Sequence, residues 1–169
     1  SAMNHRIVVL FLVFLTALST ATTATAETSI FGGVNFPTGD FNSGANTGWN
    51  VGGYYTLEMA TILDIGLTAG YSDFGSDNTD KSSNAWELQG LGQVKILFLK
   101  GYLGMGVANY RASDDKRKTK LAWQMGVSAQ IAILEGRLGY HQVPVDGGSI
   151  NWLSLSAGVV SSSSPAAKA

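Results

Sequence analysis

Lys120-Leu121-Ala122-Trp123-Gln124-Met125-Gly126-Val127-Ser128-Ala129-Gln130-Ile131-Ala132-Ile133 alternates with a period of two. Leu121, Trp123, Met125, Val127, Ala129, Ile131 and Ile133 share one phase, and Ala122, Gln124, Gly126, Ser128, Gln130 and Ala132 share the other. An extended chain turns alternate side chains to opposite faces, so the stretch predicts a strand with one apolar face and one small, uncharged face. A soluble barrel would dress its polar face with Lys, Glu, Asp or Arg. A lipid-facing barrel instead turns its apolar side outward and fills a narrow lumen with small side chains.

The same scheme recurs along the chain. Leu63, Ile65, Leu67, Ala69 and Tyr71 oppose Asp64, Gly66, Thr68, Gly70 and Ser72; Trp86, Leu88, Val94 and Ile96 oppose Glu87, Gln89, Gln93 and Lys95. Eight such segments are expected, over residues 28–36, 48–57, 61–72, 84–97, 101–110, 120–133, 136–143 and 150–160. The connections after the first, third, fifth and seventh read as polar loops of roughly ten residues. The others read as tight turns around Glu58-Met59-Ala60, Leu99-Lys100 and Leu134-Glu135. This predicts an all-β fold, an eight-stranded antiparallel up-and-down transmembrane β-barrel, with the short turns on the periplasmic side and the long loops outside. A soluble ligand-binding barrel is the weaker alternative, because the second face lacks charge.

Composition agrees. The 169 residues carry a net charge of −1, only 14% charged residues and no cysteine. Nucleic-acid binding needs a basic excess on one face, and the missing thiols exclude disulfides and thiolate chemistry. Ser1-Ala2 precede Met3 and read as an expression scar. Asn4-His5-Arg6, the apolar run from Ile7 to Leu15 and the small residues Ala24-Thr25-Ala26 have the order of a cleaved export signal. The expected organisation is therefore a scar plus signal peptide over 1–26, a barrel over 27–160 and a disordered polar tail over 161–169. Trp49, Tyr71, Trp86 and Trp123 all fall in the apolar phase at the long-loop ends of their strands. Aromatic rings at one height predict a girdle at a membrane boundary.

Phe31-Gly32-Gly33-Val34-Asn35-Phe36-Pro37-Thr38-Gly39-Asp40-Phe41 resembles the opening of the outer membrane protein β-barrel domain family, which includes the small barrels related to OmpX, OmpW and the N-terminal part of OmpA. Asp64 to Ser72 and Gly101 to Gly106 are similar to its Gly-aromatic strand style. The resemblance implies residence in the bacterial outer membrane, with outer-membrane lipid and lipopolysaccharide as partners and the barrel assembly machinery engaged during insertion. It implies no nucleic acid and leaves the oligomeric state open, as a monomer or an unknown oligomer. The family's last strand usually ends in Phe or Tyr; here Val160 is followed by Ser161 to Ala169.

Inward phase places Glu58, Asp64, Glu87, Lys95 and Arg137 in the lumen, with Asp64 opposite about Lys95 near the short turns. Unpaired charge in a narrow lumen is costly, so a lumenal ion-pair cluster is expected, either as a structural plug or as a gate for small solutes. His141 with Ser154 or Ser156 and Glu87 supplies the residue types of a hydrolase triad. Barrel enzymes that remove acyl chains from lipid A carry a His-x-Ser stretch, and His141-Gln142-Val143 lacks that serine. Arg111, Lys116, Arg117, Lys118 and Lys120 make the third long loop basic around Asp114-Asp115, which reads first as a solvated loop and otherwise as a contact for lipopolysaccharide phosphates or an acidic surface ligand. Asp73, Asp77 and Asp80 match no calcium loop, so neither a metal site nor a cofactor is expected. The expected function is a non-enzymatic structural or surface-interaction barrel; a narrow conduit for small or apolar solutes is the alternative, and a lipid A-modifying hydrolase is weaker still.

Overall fold

The computed structural model describes residues 25–39, 45–75, 83–111 and 117–163. Eight strands, β1 (Ala26–Thr38), β2 (Gly48–Ala60), β3 (Leu63–Phe74), β4 (Ser83–Ile96), β5 (Leu99–Arg111), β6 (Arg117–Ile131), β7 (Leu134–Val145) and β8 (Gly148–Ser163), close into a barrel in sequential order. Every neighbouring pair is antiparallel, and β1 pairs with β8 to close it. Following cross-strand partners from Glu27 through Thr56, Gly66, Leu91, Gly104, Gln124, His141 and Trp152 returns to β1 at Pro37, ten residues further along. That stagger is the shear that tilts the strands of a closed barrel.

The alternation of the sequence becomes inside and outside. Ile30, Leu88, Leu103, Met105, Val127, Leu155 and their neighbours form the exposed exterior, and Ile131 stands 76% exposed. So much apolar side-chain surface in contact with solvent is untenable for a soluble domain, whereas a bilayer accepts it. Asp64, Gln89, Gln93, Gln124, Ser128 and Arg137 are buried inside.

Several boundaries differ from expectation. The tight turns are Thr61-Ile62, Leu97-Phe98 and Ala132-Ile133 rather than Glu58-Met59-Ala60, Leu99-Lys100 and Leu134-Glu135. Apolar residues occupy them, with Leu97 (φ 57°) and Ala132 (φ 54°) in the left-handed region, so polarity is a poor guide to turns at a membrane edge. Displacement of the β4–β5 and β6–β7 turns by two residues preserves every inside and outside assignment but draws Lys100 and Glu135 into strands that face the lumen. The fourth connection is no loop of ten residues: β7 and β8 meet across Asp146-Gly147, where Gly147 takes φ 89°, the Asp-Gly chemistry of a two-residue hairpin. At the other end β8 runs on through Ser161–Ser163, which pair with Ala26–Thr28, so the strand outlasts Val160. Of the scar and signal expected over 1–26 only Thr25 and Ala26 are described, and Ala26 already belongs to β1; residues 1–24, the tail beyond Ser163 and the loop residues Asp77, Asp80, Asp114, Asp115 and Lys116 lie outside the described residues.

Candidate functional site

Inward side chains divide the lumen into layers, and the charges fall into three groups rather than one cluster. At the short-turn end Lys95 Nζ lies 2.9 Å from Asp64 Oδ2 and 3.8 Å from Glu58 Oε2. Asp64 and Glu58 are cross-strand partners, so a cation between them offsets the repulsion of like charges held side by side.

The next layer holds two residues that strand assignment alone had left in turns. Lys100 Nζ contacts Glu27 Oε1 and lies 3.9 Å from Glu135 Oε1. Tyr54 donates its hydroxyl to Glu27 Oε1 at 2.7 Å, and Ser128 donates to Glu135 Oε1 at 2.7 Å. Arg137 lies above, 3.7 Å from Glu135 Oε2, its guanidinium 4.7, 4.8 and 4.3 Å from the ring centroids of Phe31, Tyr54 and Tyr102. Planar stacking on aromatic faces suits Arg and not Lys. The layer contains two carboxylates and two cations, all buried, which is how charge survives in a narrow lumen.

Glu87 stands apart from both groups. Its Oε2 is 3.0 Å from His141 Nδ1, and His141 Nε2 is 3.0 Å from Ser154 Oγ. Gln89 Nε2 donates to Glu87 Oε1 at 2.9 Å. Three strands, β4, β7 and β8, thus assemble the trio that separate sequence positions only suggested, although no His-x-Ser stretch is present. A cavity of about 30 Å³ adjoins it, bordered by Gln124, Arg137, Asn50 and Ser156. The stacked His141 and Trp152 rings, 4.8 Å apart with planes at 8°, roof the trio.

Above that lies an apolar stopper. Trp152 packs edge-on to Phe74 with centroids 5.3 Å apart, and Ala45, Ala85, Ala108, Tyr110, Ala122 and Val143 complete the buried cluster. The small-residue lumen expected from sequence is therefore closed at its outer end by rings. Trp152 shares its phase with Ser154 and Ser156 and not with the girdle, and that parity was the available signal.

The girdle residues face outward as expected from their phase. Trp49, Tyr71 and Trp86 form a row across β2, β3 and β4, with centroids 5.3 and 4.7 Å apart, and Trp123 packs on Tyr140 at 5.7 Å. Directly above Trp86, whose cross-strand partner is Asn109, Arg117 donates to Asn109 Oδ1 at 3.0 Å and to Asn84 Oδ1 at 3.3 Å. Arg111 and Arg117 are cross-strand partners in the same outward phase. Lys118 and Lys120 take the opposite phase, and Lys120 Nζ pairs with Asp146 Oδ1 at 3.1 Å. Among the described residues no group of His, Asp and Glu is arranged to hold a metal.

No protein-family profile matches the chain, and no curated protein matches it by sequence. Solved structures do resemble it in fold. The Yersinia pestis outer membrane protein Ail in a phospholipid bilayer nanodisc superposes with a TM-score of 0.58 at 15% identity, covering 80% of this chain and 99% of that one. Ail crystallised with the heparin analogue sucrose octasulfate gives 0.50 at 16% identity over 82% of this chain and 99% of that one. Neisserial surface protein A gives 0.50 at 13% identity over 80% and 95%. Topology and apolar exterior define the class: a small eight-stranded antiparallel β-barrel with a lipid-facing outside, the fold of the outer membrane proteins Ail and Neisserial surface protein A.

Proposed function

We propose that this barrel is a filled, non-conducting outer-membrane protein that acts through its long-loop rim, where it holds the phosphates of lipopolysaccharide. The observation that carries this reading is the pairing of Arg111 with Arg117 directly above the Trp49-Tyr71-Trp86 row. Two guanidinium groups side by side on one face can share a phosphate by paired, charge-assisted hydrogen bonds. Asn84 and Asn109 hold Arg117 by neutral oxygens that orient it without cancelling its charge. The rings beneath sit where the headgroups of the outer leaflet begin. In this reading the role is structural and adhesive, asks no reaction of the chain, and follows delivery through the barrel assembly machinery. The stopper and the Arg137 layer support a filled barrel over a solute conduit.

Titration of the folded barrel in neutral detergent with lipopolysaccharide tests it. The double variant R111S/R117S is expected to bind at least tenfold more weakly, with a shallower salt dependence. Equal affinity for both proteins would refute the reading.

A further inference from the structure

The line Glu87-His141-Ser154 has a direction. A carboxylate only accepts hydrogen bonds, so Nδ1 of the neutral imidazole carries its proton toward Glu87 Oε2, 3.0 Å away. Nε2 is then the acceptor, and Ser154 donates its hydroxyl to it at 3.0 Å. Serine to Nε2 and carboxylate to Nδ1 is the connectivity by which a base activates a nucleophile while an acid fixes its tautomer. The base is also held in place, since Trp152 lies flat against the imidazole and Gln89 holds the far oxygen of Glu87. Charge balance alone does not account for this order. The other described lumenal carboxylates are matched by Lys95, Lys100 or Arg137, whereas Glu87 is hydrogen-bonded to the imidazole of His141.

The cavity beside the trio adds a donor. Arg137 borders it; its buried Nη1 lies 3.7 Å from Glu135 Oε2 but makes no hydrogen bond among the described residues. A donor of that kind stabilises negative charge as it develops on an acyl oxygen. The space, about 30 Å³, is enough for water and admits only a short acyl group such as formyl or acetyl. A long acyl chain does not fit.

We propose that Ser154 is an activated nucleophile that accepts a small acyl group from an activated ester inside the folded barrel. Ser154 Oγ attacks the carbonyl carbon, the Oγ–C bond forms and the bond from carbon to the leaving alkoxide breaks. The serine proton passes to His141 Nε2 and from there to the alkoxide. Glu87 and Trp152 are positioning residues, and Trp152 also covers the approach from the loop end.

Methanesulfonyl fluoride is small enough to probe the site: Oγ–S forms, S–F breaks, fluoride leaves and the proton stays on His141. The folded barrel in detergent is treated with this reagent, and the modified residue is located by peptide mass mapping. One sulfonyl group on Ser154 is expected in the wild-type chain, arriving faster in W152A. His141→Gln should slow the reaction at least tenfold in either background, and Ser161→Ala, at the far end of β8, should leave it in place. Modification in W152A alone, still dependent on His141, supports the proposal and locates the barrier to entry at the indole. The proposal is overturned by an unmodified Ser154 in both proteins, by labelling indifferent to H141Q, or by labelling spread over several serines. Each variant is read only as the compact, heat-modifiable barrel, so a folding defect is not mistaken for lost reactivity.

Discussion

The Arg137 guanidinium stands 4.3 Å from the centroid of the Tyr102 ring, with Phe31 and Tyr54 at comparable distances on its other sides. A cation so enclosed exchanges its hydration for ring faces and one carboxylate, Glu135. Removing it leaves Glu135 buried with Lys100 as its remaining cation, at 3.9 Å. Arg137→Ala is expected to destabilise the barrel by about 3–5 kcal/mol, the cost of breaking a buried pair. Arg137→Lys should recover only part of that, because an ammonium does not stack. Equilibrium urea unfolding in lipid vesicles measures both.

Tyr102 reaches this position because the opposing wall is bare. A Cβ on Gly139 would come within 2.6 Å of the Tyr102 hydroxyl and 2.8 Å of Ser154 Oγ. Gly139→Ala should therefore cost about 1–3 kcal/mol by overpacking. Adding Tyr102→Phe should return part of it, and a double-mutant cycle in the same unfolding experiment reads the coupling.

Two turn residues carry strain that glycine would relieve. Leu97 and Ala132 adopt φ of 57° and 54°, where an L-residue sits about 1–2 kcal/mol above its usual basin. Leu97→Gly and Ala132→Gly are each expected to stabilise by roughly 0.5–1 kcal/mol despite the added chain entropy. Gly147→Ala, at φ 89°, should shift the unfolding midpoint in the opposite direction.

The lumen is blocked twice, by the Trp152-Phe74 stopper and by the Arg137 layer. Planar-bilayer recording of the wild-type barrel should show no steady conductance, and W152A should remain silent because the lower block persists. A steady current from either protein, altered in Lys95→Ala, would mean that the lumen is open.

Periodicity made the inside and outside of the barrel legible from sequence, since a phase error of two leaves every side chain on its own face. Lys100 and Glu135 escaped the lumenal set for a different reason. A dipeptide carrying a charge, such as Leu134-Glu135, resembles a turn more than Ala132-Ile133 does, and only the ladder hydrogen bonds tell them apart. Asp146-Gly147 carried a hairpin signal that the assumption of a long loop overrode. The residue types of Glu87, His141 and Ser154 were legible but their contact, and the choice of Ser154 over Ser156, were not, because the members are separated by 54 and 13 residues and meet only through the stagger of the strands.

The seam between β1 and β8, running from Ala26 opposite Ser163 to Thr38 opposite Asn151, imposes an order in time. The first strand synthesised has to wait for the last, so closure is the most non-local contact in the molecule and folding is correspondingly slow. Until then each intermediate exposes two unpaired edges, the very template on which β-proteins aggregate. A chain with this architecture is therefore vulnerable in water before closure in a way that a helical membrane protein, whose backbone is satisfied segment by segment, is not.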